Sequence, residues 1–227
     1  MFAITGKALI HSGTGTADDP YTFGDSKKAK GSTYVNERFT GEYISIDGDI
    51  YRIVEVDKDG TTRVIAETTV DADNDEEFET TANPYSDHIN YDPKDINSIA
   101  YFINNTAINS INTSYFVNHE VSVPIYKNKI LFGEETETKK VKVKVSAPNM
   151  FEMFAAQPQR SGNCSSYWLI NISKKERIGG AITPTGVPLN EVIPQSAGLG
   201  VRIVGYLKKG TVISSGDGTY RSPYIIK

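Results

Sequence analysis

Among its 227 residues the chain has one cysteine and three histidines, and each scarcity removes a class of chemistry. A single thiol, Cys164, excludes an internal disulfide and any multi-cysteine zinc site, and it leaves the redox compartment open. His11, His88 and His119 never stand at metal-ligand spacing with one another, so a helix-borne His-Glu-x-x-His site is absent. No apolar run approaches the roughly 20 residues that cross a bilayer, so a soluble chain is expected. Met1–Ile10 is mildly apolar with one lysine, but it lacks the basic-then-apolar layout and the small-residue cut site of a cleavable leader. Positive charge is not in excess either: 24 Lys and Arg against 28 Asp and Glu give a formal net charge of −4. That balance is wrong for a surface that must displace counterions, so no nucleic-acid partner is expected. Disorder is excluded in turn, because 38% hydrophobic residues with so small a net charge describe a chain that collapses. A chain of this length makes one or two domains.

What is present begins with a repeat. Residues 12–23 read S-G-T-G-T-A-D-D-P-Y-T-F and residues 215–226 read S-G-D-G-T-Y-R-S-P-Y-I-I. The shared positions are Ser12/Ser215, Gly13/Gly216, Gly15/Gly218, Thr16/Thr219, Pro20/Pro223 and Tyr21/Tyr224. Each copy follows a short apolar stretch, so the pattern predicts strand, turn, short strand: glycines permit a tight reversal and proline forces an extended entry to the tyrosine. A phosphate-cradling loop would need a helix directly after the glycines, and Pro-Tyr stands there instead. The copies divide the chain into an N-terminal segment, 1–24, and one globular domain, 25–227.

Between them, Tyr43–Ile46, Ile50–Val56 and Thr61–Ala66 alternate in the β manner around Asp47-Gly48 and Asp57–Gly60, which predicts three consecutive antiparallel strands. Residues 71–87 read as a long acidic loop. Asp92-Pro93 predicts a helix start, with Ile96, Ile99, Ala100 and Ile103 on its buried face and Asn104-Asn105 at its end. A second helical stretch is expected over Thr106–Phe116, and a third after Ser146-Ala147-Pro148. Val121–Ile125, Lys129–Phe132, Tyr167–Ile172, Ile178–Ile182 and Gly200–Leu207 read as strands. Lys140–Val145 alternates strictly, which turns the valines inward and the lysines to solvent. The fold class expected is α+β, a mainly antiparallel sheet with two or three helices.

Few residues offer chemistry. Asp71, Asp73 and Asp75 imitate the first oxygen ligands of a calcium loop, but Glu76 stands where glycine is needed and Ala82 where a bidentate Glu is needed, so a solvated loop is expected. Cys164 has no thiol-protease signature around it and reads as a passive thiol; a hydrolase pairing it with His88 or His119 requires hydrogen-bond reach. His119 reads as a partly exposed structural histidine. In Tyr167-Trp168 strand alternation predicts one buried ring and one on the opposite face, where it could bind a sugar or peptide. No acid, base and nucleophile cluster in the sequence, so no catalytic residue, cofactor-binding residue or metal ligand is expected, and no enzyme.

Several phrases together carry a family resemblance: Tyr51-Arg52-Ile53-Val54 with Asp59-Gly60-Thr61 and Val64-Ile65, then Ala100–Asn104, then Tyr167-Trp168-Leu169, then Gly200-Val201-Arg202-Ile203-Val204 and the ending Gly216–Tyr224. This layout resembles an uncharacterised domain of Gram-positive surface proteins, often found in type IV pilin-like proteins and distantly similar to C-type lectin-like folds. Ile203 departs from it, since proline is usual at that place. The resemblance implies a C-type lectin-like arrangement and a non-enzymatic extracellular, cell-surface or pilin-like subunit acting in assembly or adhesion. It implies other surface or pilus subunits, a glycan or a host surface as partners, and membrane attachment only through an anchor upstream of Met1. The alternative is a lectin-like module that binds a small ligand or glycan.

Overall fold

A computed structural model of the chain describes residues 10–12, 22–23, 34–70, 91–96, 98–124, 138–155, 167–173, 178–182, 188–192 and 200–227. The strands in chain order are β1 (Ile10–Ser12), β2 (Thr22–Phe23), β3 (Tyr43–Ile46), β4 (Asp49–Val56), β5 (Thr62–Thr69), β6 (His119–Pro124), β7 (Thr138–Val143), β8 (Val145–Ser146), β9 (Tyr167–Ser173), β10 (Ile178–Ile182), β11 (Pro188–Val192), β12 (Arg202–Leu207), β13 (Ile213–Ser215) and β14 (Tyr224–Ile226). Two short α-helices accompany them, α1 (Ile99–Asn105) and α2 (Met150–Ala155). The described residues are thus mainly β-sheet, and the chain divides into two compact units, residues 1–64 with 207–227, and residues 65–206. The acidic loop at 71–87, the strand expected at Lys129–Phe132 and the segment around Cys164 lie outside the described residues.

In the first unit β3 and β4 form the expected antiparallel hairpin, in register from Tyr43↔Arg52 to Ile46↔Asp49. Asp47 and Gly48 both hold positive φ, 52° and 103°, the left-handed pair that lets a two-residue turn follow the twist of its strands. The next reversal closes where the Asp57 N–H donates to the Thr61 carbonyl at 2.8 Å and leads into β5. On the other side of β3 lies the last strand of the chain: β14 runs parallel to it, Tyr224↔Ile44 and Ile225↔Ser45, and pairs antiparallel with β13. The sheet is therefore mixed, in the order β13–β14–β3–β4. All four residues of β3 are buried, as a strand enclosed on both edges and both faces must be.

In the second unit β12 lies between β5 and β8 and is buried along its whole length. β6 and β7 pair antiparallel from His119↔Val143 to Pro124↔Thr138, with Val141 and Val143 buried and Lys140 and Lys142 exposed, as the alternation of the segment predicts. β9, β10 and β11 make an antiparallel meander. Of these, β11 has no counterpart in the expected strands; a leading proline and the polar Asn190-Glu191 hide it.

Among the described residues helix is scarcer than the sequence suggests. Asp92 does not start one: its carboxylate accepts the Lys94 N–H at 3.0 Å and closes a local turn, while Ile96 stands 72% exposed. The cap is Ser98, whose hydroxyl oxygen accepts from both Asp92 N–H (2.9 Å) and Ala100 N–H (3.2 Å), so α1 begins at Ile99. Ile99, Ala100 and Ile103 are buried as expected. Beyond it only a 3-10 turn, Ala107–Ser110, occupies the second expected stretch. α2 begins after a reciprocal cap, with Asn149 Oδ1 accepting from Glu152 N–H and Glu152 Oε2 accepting from Asn149 N–H.

Asn104 ties α1 to β8. Its amide donates to the Ala100 and Val145 carbonyls, and its Oδ1 accepts from the Lys144 and Val145 N–H groups. Asn105, one residue on, donates to Tyr101 alone from an exposed position. Asn104→Ala is expected to lower the melting temperature by about 3–8 °C, from about 1–2 kcal/mol of lost bonds, and Asn105→Ala by less than about 2 °C. Equal effects of the two substitutions in a thermal melt would contradict this assignment.

Candidate functional site

Among the described residues two arginines are buried, Arg38 and Arg202, and each is held by a tyrosine and a glutamate of its own unit. In the first unit the group assembles where β14 returns beside β3. Gly216 and Gly218 hold positive φ, 95° and 80°. A methyl at Gly216 would run into the Pro223 carbonyl, and one at Gly218 into the Tyr224 ring, so the turn takes glycine at both places. Asp217 fixes the loop by accepting from Thr219 N–H at 3.0 Å, and that bond holds its carboxyl below the usual range. The Gly218 carbonyl accepts from Tyr43 N–H at 2.8 Å, and Tyr224 then enters the interior. Its hydroxyl accepts from Arg38 Nη2 and donates to Glu42 Oε1 at 3.2 Å. The Arg38 guanidinium also lies over the Tyr224 ring, 4.4 Å from the centroid, and meets Glu42 Oε2 at 3.4 Å. Glu42 Oε2 accepts the Phe39 N–H as well, at 2.8 Å.

Burial, and then the Glu42 carboxylate, push the Tyr224 phenol up to about 12, against the opposing pull of Arg38. A phenol held protonated between a cation and an anion is a clamp on the backbone that carries it. It brings together positions 186 and 182 residues apart in sequence, Arg38 and Glu42 with Tyr224.

The second group sits within the other unit. Arg202 on β12 is fully buried; its Nε donates to the Ala66 carbonyl, its Nη1 to the Tyr167 hydroxyl at 3.2 Å, and its Nη2 stands 3.8 Å from Glu67 Oε1. A guanidinium in such a place must be paired and hydrogen-bonded to be tolerated at all, and the strand that carries it is fixed by those bonds.

The residues singled out in the sequence fare differently. Tyr167 and Trp168 are both fully buried, so neither ring is the outward-facing platform that simple alternation predicts; residues 167–170 of β9 are covered on both faces. His119 is half-buried, stacked on Tyr206, with Nδ1 3.4 Å from the Val117 carbonyl. Cys164, His88 and the Asp71, Asp73 and Asp75 loop lie outside the described residues. Among the described residues no three His, Cys, Asp or Glu side chains converge as metal ligands, and no helix is long and apolar enough to cross a membrane. Sequence reading passed over Arg38 and Glu42. Their spacing of four was visible, and so was the charge of Arg202 inside the apolar run Val201–Val204, a placement that itself signals a buried partner.

The chain matches no family model, no curated protein and no solved structure.

The phenol sets an alkaline limit. The unfolded tyrosine ionises near 10 and the folded one near 12, so the contribution of Tyr224 is whole below pH ~10 and declines as pH rises toward 12. Tyr224→Phe is expected to cost about 1–2 kcal/mol at neutral pH and to flatten the loss of stability between pH ~10 and ~12, leaving the part due to Tyr51 and Tyr91, whose phenols burial also raises. Denaturant melts across that range check it; identical slopes for the two proteins would contradict it.

Proposed function

We propose that the chain is a non-enzymatic, extracellular cell-surface or pilin-like subunit that works through assembly or adhesion. The reading rests on the likeness of Tyr51–Val54, Gly200–Val204 and Gly216–Tyr224 to a Gram-positive surface domain, and one structural observation supports it. Six large hydrophobic side chains are exposed among the described residues, and four of them are on the closing hairpin or bridged to it: Tyr34, Val212, Tyr220 and Ile225. Concentrated exposure of this kind marks a contact surface, and tyrosine supplies contact area at low entropic cost. The Arg38–Tyr224–Glu42 group of the same unit contributes rigidity there. A lectin-like arrangement belongs to the same proposal; its support is the last strand lying beside β3, which brings the start and end of the globule together.

A lectin-like glycan module is the second reading. With Trp168 buried, its candidate contact is Tyr220, 44% exposed and edge-on to Tyr43 at 5.4 Å between centroids.

Antibody against the chain is expected to label intact cells of the source organism, and external protease to remove the label. Signal obtained only after lysis would contradict surface placement. Purified Tyr220→Ser/Ile225→Ser chain is expected to melt within about 4 °C of the parent and to be retained on those cells at least about ten-fold less. Unchanged retention would remove the hairpin from the contact. Glycan-array binding that disappears in Tyr220→Ala would favour the second reading.

A further inference from the structure

The described ends of the two copies of the repeated phrase pair in the same way. β1 and β2 pair Ile10↔Phe23 and Ser12↔Thr22; β13 and β14 pair Ile213↔Ile226 and Ser215↔Ile225. Moving the first pairing along the sequence by 203 residues reproduces the second position by position, and the register shift falls between the same two residues in each, Ile10/Ser12 and Ile213/Ser215. A shared bulge at a shared place is a designed feature of a strand pair, since it sets which side chains face inward.

The substitutions between the copies fall where the seat does not look. Over residues 213–226 the positions that differ from residues 10–23 are Ser214, Asp217, Tyr220, Arg221, Ser222, Ile225 and Ile226. Six of the seven are exposed or half-buried; Ile226 alone is buried, and its counterpart Phe23 is also apolar. The positions that make the seated contacts are retained. Tyr21 stands for Tyr224, which enters between Arg38 and Glu42; Gly15 stands for Gly218, whose carbonyl accepts from Tyr43 N–H; Gly13 stands for Gly216, which has no room for a side chain beside Pro223. Thr14 stands for Asp217.

Two strand pairs of the same register are therefore described, and the described residues contain one seat of this kind, the Arg38–Glu42–Tyr43 edge of β3, which the second copy fills. We propose that Ile10–Phe23 is the closing hairpin of a second copy of this globule, made to fill that copy's own Arg-Glu seat. The polar stretch 24–33, which carries Asp25, Lys27, Lys28 and Lys30 and no large apolar residue, then joins one globule to the next. Globules of this kind follow one another in series, each finished by its own hairpin. The inference is independent of where the protein acts.

The test is an exchange within the full chain, replacing Ile213–Ile226 by the sequence of Ile10–Phe23. The exchanged protein is expected to melt cooperatively within about 5 °C of the parent, and alanine at its transplanted tyrosine to lower the melting temperature as much as Tyr224→Ala does in the parent. A second exchange that keeps isoleucine at position 226 removes overpacking by Phe23 as a cause of failure, and a scrambled insert of the same composition is expected not to fold. Failure of both exchanges, or a transplanted tyrosine whose removal is silent, overturns the proposal. Tyr21→Ala in the parent chain is expected to be silent at this seat; a loss equal to that of Tyr224→Ala would place the first hairpin in this chain's own seat and overturn it as well.

Discussion

A tyrosine hydroxyl caught between Arg38 and Glu42 decides where the chain ends its fold. The ion pair alone would be a modest gain at a place this poorly hydrated, because two charges withdrawn from water recover that cost only when their remaining hydrogen-bonding capacity is met. Tyr224 meets it from the far end of the sequence, accepting from the guanidinium and donating to the carboxylate, with its ring beneath the cation. Everything the last strand does follows. With Tyr224 inside, β14 is set parallel to β3, Gly218 O is brought to Tyr43 N–H, and the edge of β3 that would otherwise be open to another strand is covered. The cover has its own requirement, two glycines at positive φ, because the turn passes so close to Pro223 and to the tyrosine ring that a side chain would collide.

The same solution recurs with different parts. Arg202 on a fully buried strand donates to the Ala66 carbonyl and the Tyr167 hydroxyl and pairs with Glu67 at 3.8 Å, all of them in its own unit. In each unit a guanidinium is the bridging element, suited by its planar fork of donors to approach a tyrosine hydroxyl and a glutamate carboxylate at once. A lysine in either place could not make the same set of bonds. The phenol raised to about 12 in the first group stays neutral at physiological pH, which suits a clamp and gives the surface above it a rigid base.

The legible parts of the sequence were those in which local pattern and local structure coincide. Asp47-Gly48 between alternating residues produced its hairpin, Val141 and Val143 turned inward with their lysines outward, and the strands at 167–172, 178–182 and 202–207 stand where apolar runs placed them. The parts that failed are those decided by a competing local cap or by partners distant in sequence. Asp92-Pro93 has every local mark of a helix start, yet Ser98 serves as the cap because one hydroxyl oxygen there satisfies two N–H groups. Tyr167-Trp168 alternates as a half-exposed strand should, yet both faces are covered. Arg38, Glu42 and Glu67 read individually as ordinary surface charges; only the return of β14 and the position of β12 bury Arg38 and Glu67 and half-bury Glu42, whereas Arg202 carries its own signal in the apolar run around it. The repeat was visible as a phrase, while its shared bulge and register required coordinates.

Amide hydrogen exchange in Glu42→Ala tests most directly whether this group holds the hairpin in place. The amides of Tyr43 and Lys227, which donate to Gly218 and Val212 of the hairpin, are expected to lose roughly 5- to 30-fold in protection, the equivalent of about 1–2 kcal/mol. The amides of Trp168 and Ile170, which donate to Gly200 and Pro148 in the other unit, are expected to stay as they are under conditions of local opening. Unchanged protection at Tyr43 and Lys227, or the same loss at all four amides, would contradict the account.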